Sequence, residues 1–392
     1  NGVIEITTKR GAMGAPRVSY SFKLTATQQP KGYELLSGDD YTMMLKESYF
    51  NPTQDDNRSQ SIREINYDPT FSEYEQYNNN TDWRDAVTQI GWRQNHYISI
   101  TGGGEKARFR IGGGYDTEKG AVIKQGLDRF STRVALDYYV SERITVSTNF
   151  ALTYTKTKFN SDGLLAIAMK KMPNMSIYEQ DPVTGEDTDR FYEMLQSASS
   201  VFDKNQKDLV NPLAKKTRST YDLVPELVIN YRLLGTDDQH TRLDWRGSVL
   251  MSVYNQYDDS FYPAELKTVS WDNGVNTASS SSLKSVNFNT KQTLTFTPHF
   301  NNMDHSLIMM GRFELNSGTN SSQSNGAKLL PSGGIESPDA GGVNTGLASS
   351  YSQSRTMYFT LSAHYAYKGK YMADFSMRAD GTTKFGPNKR WG

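Results

Sequence analysis

Between Phe130 and Tyr154 the chain alternates apolar and polar residues twice, with a short break at 140–143. Phe130, Thr132, Val134, Leu136 and Tyr138 alternate with Ser131, Arg133, Ala135 and Asp137. After the break Ile144, Val146, Thr148, Phe150, Leu152 and Tyr154 alternate with Thr145, Ser147, Asn149, Ala151 and Thr153. A period of two places successive side chains on opposite faces of a strand. The stretch therefore reads as a long hairpin with one apolar face rimmed by aromatics and one face of hydroxyls, amides and charges.

Copies of this pattern fill the rest of the chain. Strands are predicted at 17–28, 94–103, 106–116, 127–140, 143–156, 221–233, 242–257, 286–300, 306–316, 357–367 and 370–380, preceded by a short β-branched run at 2–8. Connections are tight on one side and mostly long on the other, in alternation. Tight ones of turn-forming composition fall at 102–105, 141–142, 235–239, 301–304 and 368–369, and long polar ones at about 29–93, 157–220, 258–285 and 317–354, with 117–126 the short exception. Short turns at one rim and long loops at the other are the topology of an all-β, antiparallel up-and-down transmembrane barrel. Soluble sandwiches and propellers have strands of about 5–6 residues and no reason to gather long loops at one rim.

Composition agrees with that reading. Only 36% of the 392 residues are hydrophobic, yet there are 24 Tyr, 17 Phe and 5 Trp and a net charge of zero, a combination unlike that of disordered chains. A wide barrel turns polar side chains toward a wet or plugged lumen and accommodates them in an ordered structure. Lys plus Arg equals Asp plus Glu at 43 each, so no overall field recommends nucleic acid as a partner. The chain has no cysteine, hence neither disulfides nor a thiolate metal site. Its longest helix-like apolar run, 164–169, is far below the ~20 residues a membrane helix needs. It opens on Asn1 inside a strand-like run, and eleven barrel strands leave an unpaired edge, so a longer protein is expected.

No catalytic constellation emerges, and the chain is not expected to be an enzyme. His96, His240, His299, His305 and His364 are scattered and none pairs with another at zinc-site spacing. Gly102–Gly104 and Gly112–Gly114 lead into no helix, so they read as turn or close packing rather than a phosphate cradle. The acidic run 181–189 lacks calcium-loop spacing and reads as a solvated loop. Aromatics on the long polar segments, Tyr74, Tyr77, Trp83 and Trp271, are the candidates for stacking on sugar rings or peptide side chains. Arg133, Arg246 and Arg378 fall on polar strand faces and are the candidates for lining the lumen. Ser37 is placed to cap a helix running to about Glu47.

The ends of the chain are more specific. Residues 1–11, NGVIEITTKRG, resemble the closing strand of the plug domain in the SusC/RagA family of TonB-dependent outer-membrane transporters. The resemblance continues through NTDWRD at 80–85, QNHYISITGG at 94–103, Gly114-Tyr115, Glu118-Lys119-Gly120 and FSTR at 130–133. It closes on RADGTTKFGP at 378–387 and Arg390-Trp391-Gly392. It implies that 1–11 end a plug and that 12–392 form the N-terminal half of a barrel of about 22 strands. It also implies TonB-dependent import of an oligosaccharide or oligopeptide across the bacterial outer membrane. A SusD-like surface lipoprotein and the TonB complex would be the partners, with no cofactor, and the three arginines would hold the plug as readily as they touch a ligand. Two other readings stand beside it: a passive outer-membrane pore or adhesin, and a soluble β-rich glycan-binding protein.

Overall fold

The computed structural model describes residues 9–54, 70, 74–159, 164–192, 215–237, 239–263, 276–302 and 304–392. The plug-like run at 1–8 lies outside them. Thirteen strands follow in chain order among these residues: β1 Gly14–Thr27, β2 Gly91–Gly103, β3 Ala107–Lys119, β4 Gly126–Tyr139, β5 Ile144–Lys158, β6 Tyr178–Gln180, β7 Asp187–Phe191, β8 Lys215–Leu234, β9 Arg242–Tyr262, β10 Thr277–Thr297, β11 His305–Lys328, β12 Val343–Tyr367 and β13 Tyr371–Thr382. Eleven of them form one sheet, each hydrogen-bonded to its sequence neighbour, and β6 and β7 form a separate hairpin. All pairings are antiparallel. The chain thus folds as part of an up-and-down barrel wall.

The alternating pattern sets the register. Ile111 on β3 faces Val134 on β4, which faces Phe150 on β5, and farther along Leu294 faces Gly311, then Leu361, then Met377. Every such row continues an apolar face across the sheet. That face is bare: Val18 is 65% exposed and Leu361 57%. A soluble monomer rarely leaves more than a few hundred Å² of contiguous apolar surface open, so a bare apolar face running across this many strands is what the outside of a transmembrane barrel requires. Among the described residues no helix is long and apolar enough to cross a membrane.

Short connections close one rim. At 368–370 Lys368 and Gly369 both have positive φ, 54° and 61°, which a two-residue hairpin turn requires if it is to match the strand twist. At 140–143 the Ser141 hydroxyl accepts from the backbone N–H groups of Arg143 and Ile144.

The other rim differs from expectation in one respect. Half of the segment read as loop at 258–285 and most of that at 317–354 are strand: β9 and β10 continue to Tyr262 and from Thr277, and β11 and β12 to Lys328 and from Val343, leaving connections at 263–276 and 329–342. Above the lipid both faces of a hairpin meet water, so neither needs apolar residues. The Ser- and Asn-rich extension of β10 to β12 carries no period-two signal, although its ladder runs through it with one irregularity, between Gly326 and Ala327.

Candidate functional site

Two regions hold the candidate residues: a cap on the long-loop rim and the polar inner face of the wall. The cap is assembled from segments distant in sequence. Ser37 caps the helix Gly38–Thr53, its hydroxyl accepting from the Asp40 N–H at 3.0 Å. Asp82 caps the short helix Trp83–Val87, accepting from the Arg84 and Asp85 N–H groups. Backbone bonds from Asn79 to Asn174 and from Thr81 to Pro173 join the residues before that helix to those after Leu164–Ala168. Gln89 and Ile123 anchor the cap to the β3–β4 connection through Ala121 and Val87.

Inside lies a small apolar core of Tyr77, Trp83, Val87, Val122, Leu164, Ala168, Met172, Met175 and Tyr192. Two of the aromatics singled out in the sequence belong to it. Tyr77 is 6% exposed, edge-on to Tyr192 with ring centroids 5.9 Å apart and hydroxyls at 3.2 Å. Trp83 is 3% exposed, and its indole N–H donates to the Met172 carbonyl at 2.8 Å while the Lys171 ammonium sits 5.2 Å from the ring centre. Both rings are committed to packing and present no open face to a ligand. Tyr74 remains half-buried at the edge of a cleft of about 320 Å³, beside Asn78, Asn79, Asp39 and Lys46. A second cleft of about 680 Å³, bordered by Tyr41, Met44, Arg84 and Lys170, lies against the other side of the long helix. Trp271 lies outside the described residues. The acidic run 181–189 is the tip and second strand of the β6–β7 hairpin.

The inner face carries the three arginines. Register places Arg133, Arg246 and Arg378 there, and all are exposed. Arg246 donates to Asn230 Oδ1 at 3.2 Å. Arg378 donates to Asp380 at 2.6 Å and lies 4.4 Å over the Tyr358 ring. Sequence reasoning missed Arg312, which the register sets on the same row as these two. Met309, Met310 and Gly311 before it blur the alternation, so only pairing with β10 and β12 reveals its face. Near the short-turn rim Arg10 reaches Asp137, which also accepts from the Ser147 hydroxyl at 2.6 Å. Residues just before β1 therefore rest on the inner wall.

Aromatics on this face are all tyrosines: Tyr97, Tyr139, Tyr254, Tyr262 and Tyr358, whereas the phenylalanines and tryptophans of the sheet face outward. Tyr97 explains the second glycine cluster. A Cβ on Gly112 would lie 2.3 Å from the Tyr97 hydroxyl oxygen, so the glycine lets the ring lie flat on the wall. Among the described residues no group of three or more His, Cys, Asp or Glu is placed to hold a metal.

Comparison with known proteins agrees with this architecture. The chain is 26% identical over 216 residues to the TonB-dependent receptor SusC of Bacteroides thetaiotaomicron, covering 54% of this chain and 19% of SusC. It is 22% identical over 410 residues to the TonB-dependent receptor P3 of Formosa agariphila, covering 100% of this chain and 36% of P3. The chain thus spans about a third or less of the length of these relatives. Among solved structures it resembles the RagAB peptide transporter, with a TM-score of 0.73 and 14% identity over 98% of this chain and 44% of that one. No family model matches the chain. A single up-and-down sheet, apolar on one face and polar on the other, and similarity running along the whole chain make it similar to the TonB-dependent receptors, with the fold of the RagAB peptide transporter.

Proposed function

We propose that this chain is part of a TonB-dependent importer of an oligosaccharide or oligopeptide in the bacterial outer membrane, working with a SusD-like surface lipoprotein. The observation that carries the proposal is the two-faced wall. Its outer face suits lipid, and its inner face offers arginine, amide and tyrosine hydroxyl groups to a polar solute. Transport of this kind draws its energy from a partner, so the chain needs neither a catalytic group nor a cofactor. In the cap, Tyr74 and the amides beside it are the candidate substrate contacts, while Tyr77 and Trp83 shape the cleft from behind. Arg133, Arg246 and Arg378 line the path within.

A surface adhesin is the second reading, favoured by β11 and β12 rising beyond the lipid as a hairpin whose Val343–Ser354 strand is uncharged and mostly exposed. A tagged full-length receptor extracted from outer membranes in detergent separates the two. A surface lipoprotein recovered in stoichiometric amount is the expected result. A barrel recovered alone would favour the adhesin or a passive pore, and recovery without detergent would overturn the membrane reading altogether.

A further inference from the structure

On the outward face of β1 to β8 the register stacks two kinds of side chain. The lower row is aromatic across six strands, pairing Phe22, His96, Tyr115, Phe130, Tyr154 and Tyr221 in turn. Above it, toward the long-loop rim, stand three exposed lysines. Lys119 and Lys158 share one row with Gly126 between them, and Lys156 faces Asp128 one step lower. Lys119 ends β3, whose thirteen residues start at Ala107 by the short-turn rim. At ~3.3 Å per residue and ~45° of tilt it stands about 28 Å above that rim, just past an apolar belt ~25 Å tall.

The group is net cationic. Among the described residues none of Lys119, Lys156 and Lys158 forms an ion pair. Asp128, the carboxylate in their midst, accepts from the Thr117 hydroxyl at 2.8 Å, and Glu118 faces the other way, 3.9 Å from Arg93. A cleft of about 410 Å³ opens at this level, bordered by Lys119, Lys124, Lys158 and Gln125 with Gly126 at its floor. Strands β3 to β5 lie two or more strands from the sheet edges at β1 and β13. Closing the barrel adds wall at those edges and lays nothing over this face, and a plug would fill the opposite one.

We infer that Lys119, Lys156 and Lys158 form an outer-surface site for the phosphate of a phosphorylated, acylated glycolipid in the outer leaflet. The site goes beyond the importer reading and rests only on its membrane part. Three features select the ligand. Lysines bind phosphate as flexible point charges, each with three donors. They stand four residues above Tyr115 and Tyr154, so a phosphate held there leaves its acyl chains against the aromatic row and the apolar face below, continuous with the lipid-facing wall. Gly126 puts no side chain between the stems of Lys119 and Lys158, which leaves room for both to close on one phosphate. A protein partner is disfavoured, since the centres of protein interfaces are poor in lysine.

Native mass spectrometry of the purified full-length receptor in detergent tests the site, with diphosphoryl lipid A and its dephosphorylated form as probes. It needs neither TonB nor a transported solute, so its outcome is independent of import. The phosphorylated probe should be retained and the dephosphorylated one lost. Lys119→Gln and Lys158→Gln should each weaken retention about fivefold, the worth of one lysine at a headgroup. Lys119→Arg keeps the charge, guards against a folding defect and should bind as the parent does. Lys284→Gln, on the same face between Asn255 and Ser321, should change nothing. Equal retention of the two probes, Gln variants that bind as the parent does, or an equal loss in Lys284→Gln would overturn the assignment. Displacement of the lipid by equimolar inorganic phosphate would overturn it too, because the site would then serve a free anion. So would Gln variants that dissociate a receptor dimer without losing lipid. Recovery of the receptor without detergent, seen before any lipid is added, would sink the membrane reading and this site with it.

Discussion

Adjacent residues on β12 should answer oppositely to the same substitution. Leu361 faces outward between Gly311 and Met377, while its neighbour Ser362 faces inward between Met310 and Ser376. Leu361 stands six residues from Tyr367 at the short-turn end and six from Arg355, where β12 leaves its partner β13. With a rise of ~3.3 Å per residue and a tilt of about 45°, six residues climb ~14 Å, roughly half the ~25 Å height of an outer-membrane apolar belt. Leu361 is thus near the bilayer midplane. Leu361→Arg should cost about 2–4 kcal/mol there, whereas Ser362→Arg points into the lumen and should change stability by no more than about 0.5 kcal/mol. Denaturant titration of the full-length receptor in lipid vesicles, followed by tryptophan fluorescence, measures both. Equal losses for the two variants, or a Leu361→Arg variant as stable as the parent, would refute the assignment of faces.

Three further outcomes follow from the cap and the wall. Trp83→Ala removes a buried ring and should destabilise the cap by about 3–5 kcal/mol, seen as faster hydrogen exchange in Val87 and Met175 with the barrel unaffected. A change in ligand affinity with unaltered exchange would instead return Trp83 to the binding surface. Ser37→Ala should cost the helix Gly38–Thr53 about 1 kcal/mol, read as exchange in its first turn. Gly112→Val should drive Tyr97 off the wall and narrow the path, lowering solute flux through the plug-free pore, and Tyr97→Ala in the same background should restore it.

Much of the wall was legible because lipid imposes a strict rule. Wherever a strand crosses the belt, as at Phe130–Tyr154, one face must be apolar, and a period of two survives in the sequence. The rule lapses above the belt, which is why the polar halves of β11 and β12 read as loop. Arg246 and Arg378 were legible from alternation alone, but their alignment with Arg312 required the pairing of five strands. The cap was the least legible part. Tyr77 and Trp83 sit in a stretch rich in Asn, Asp and Tyr that resembles open surface, and their burial depends on Leu164, Met172 and Tyr192, about a hundred residues away. Nothing local announces such a core.

Spin labels placed one at a time at 356–364 of β12, in the full-length receptor in lipid vesicles, test the two-faced wall most directly. The absence of cysteine from this chain leaves each introduced label unique within it. Collisions with oxygen should peak at the odd positions 357, 359, 361 and 363, and collisions with a water-soluble nickel chelate at the even ones. Uniform access to the nickel chelate, or alternation of the opposite phase, would contradict the account.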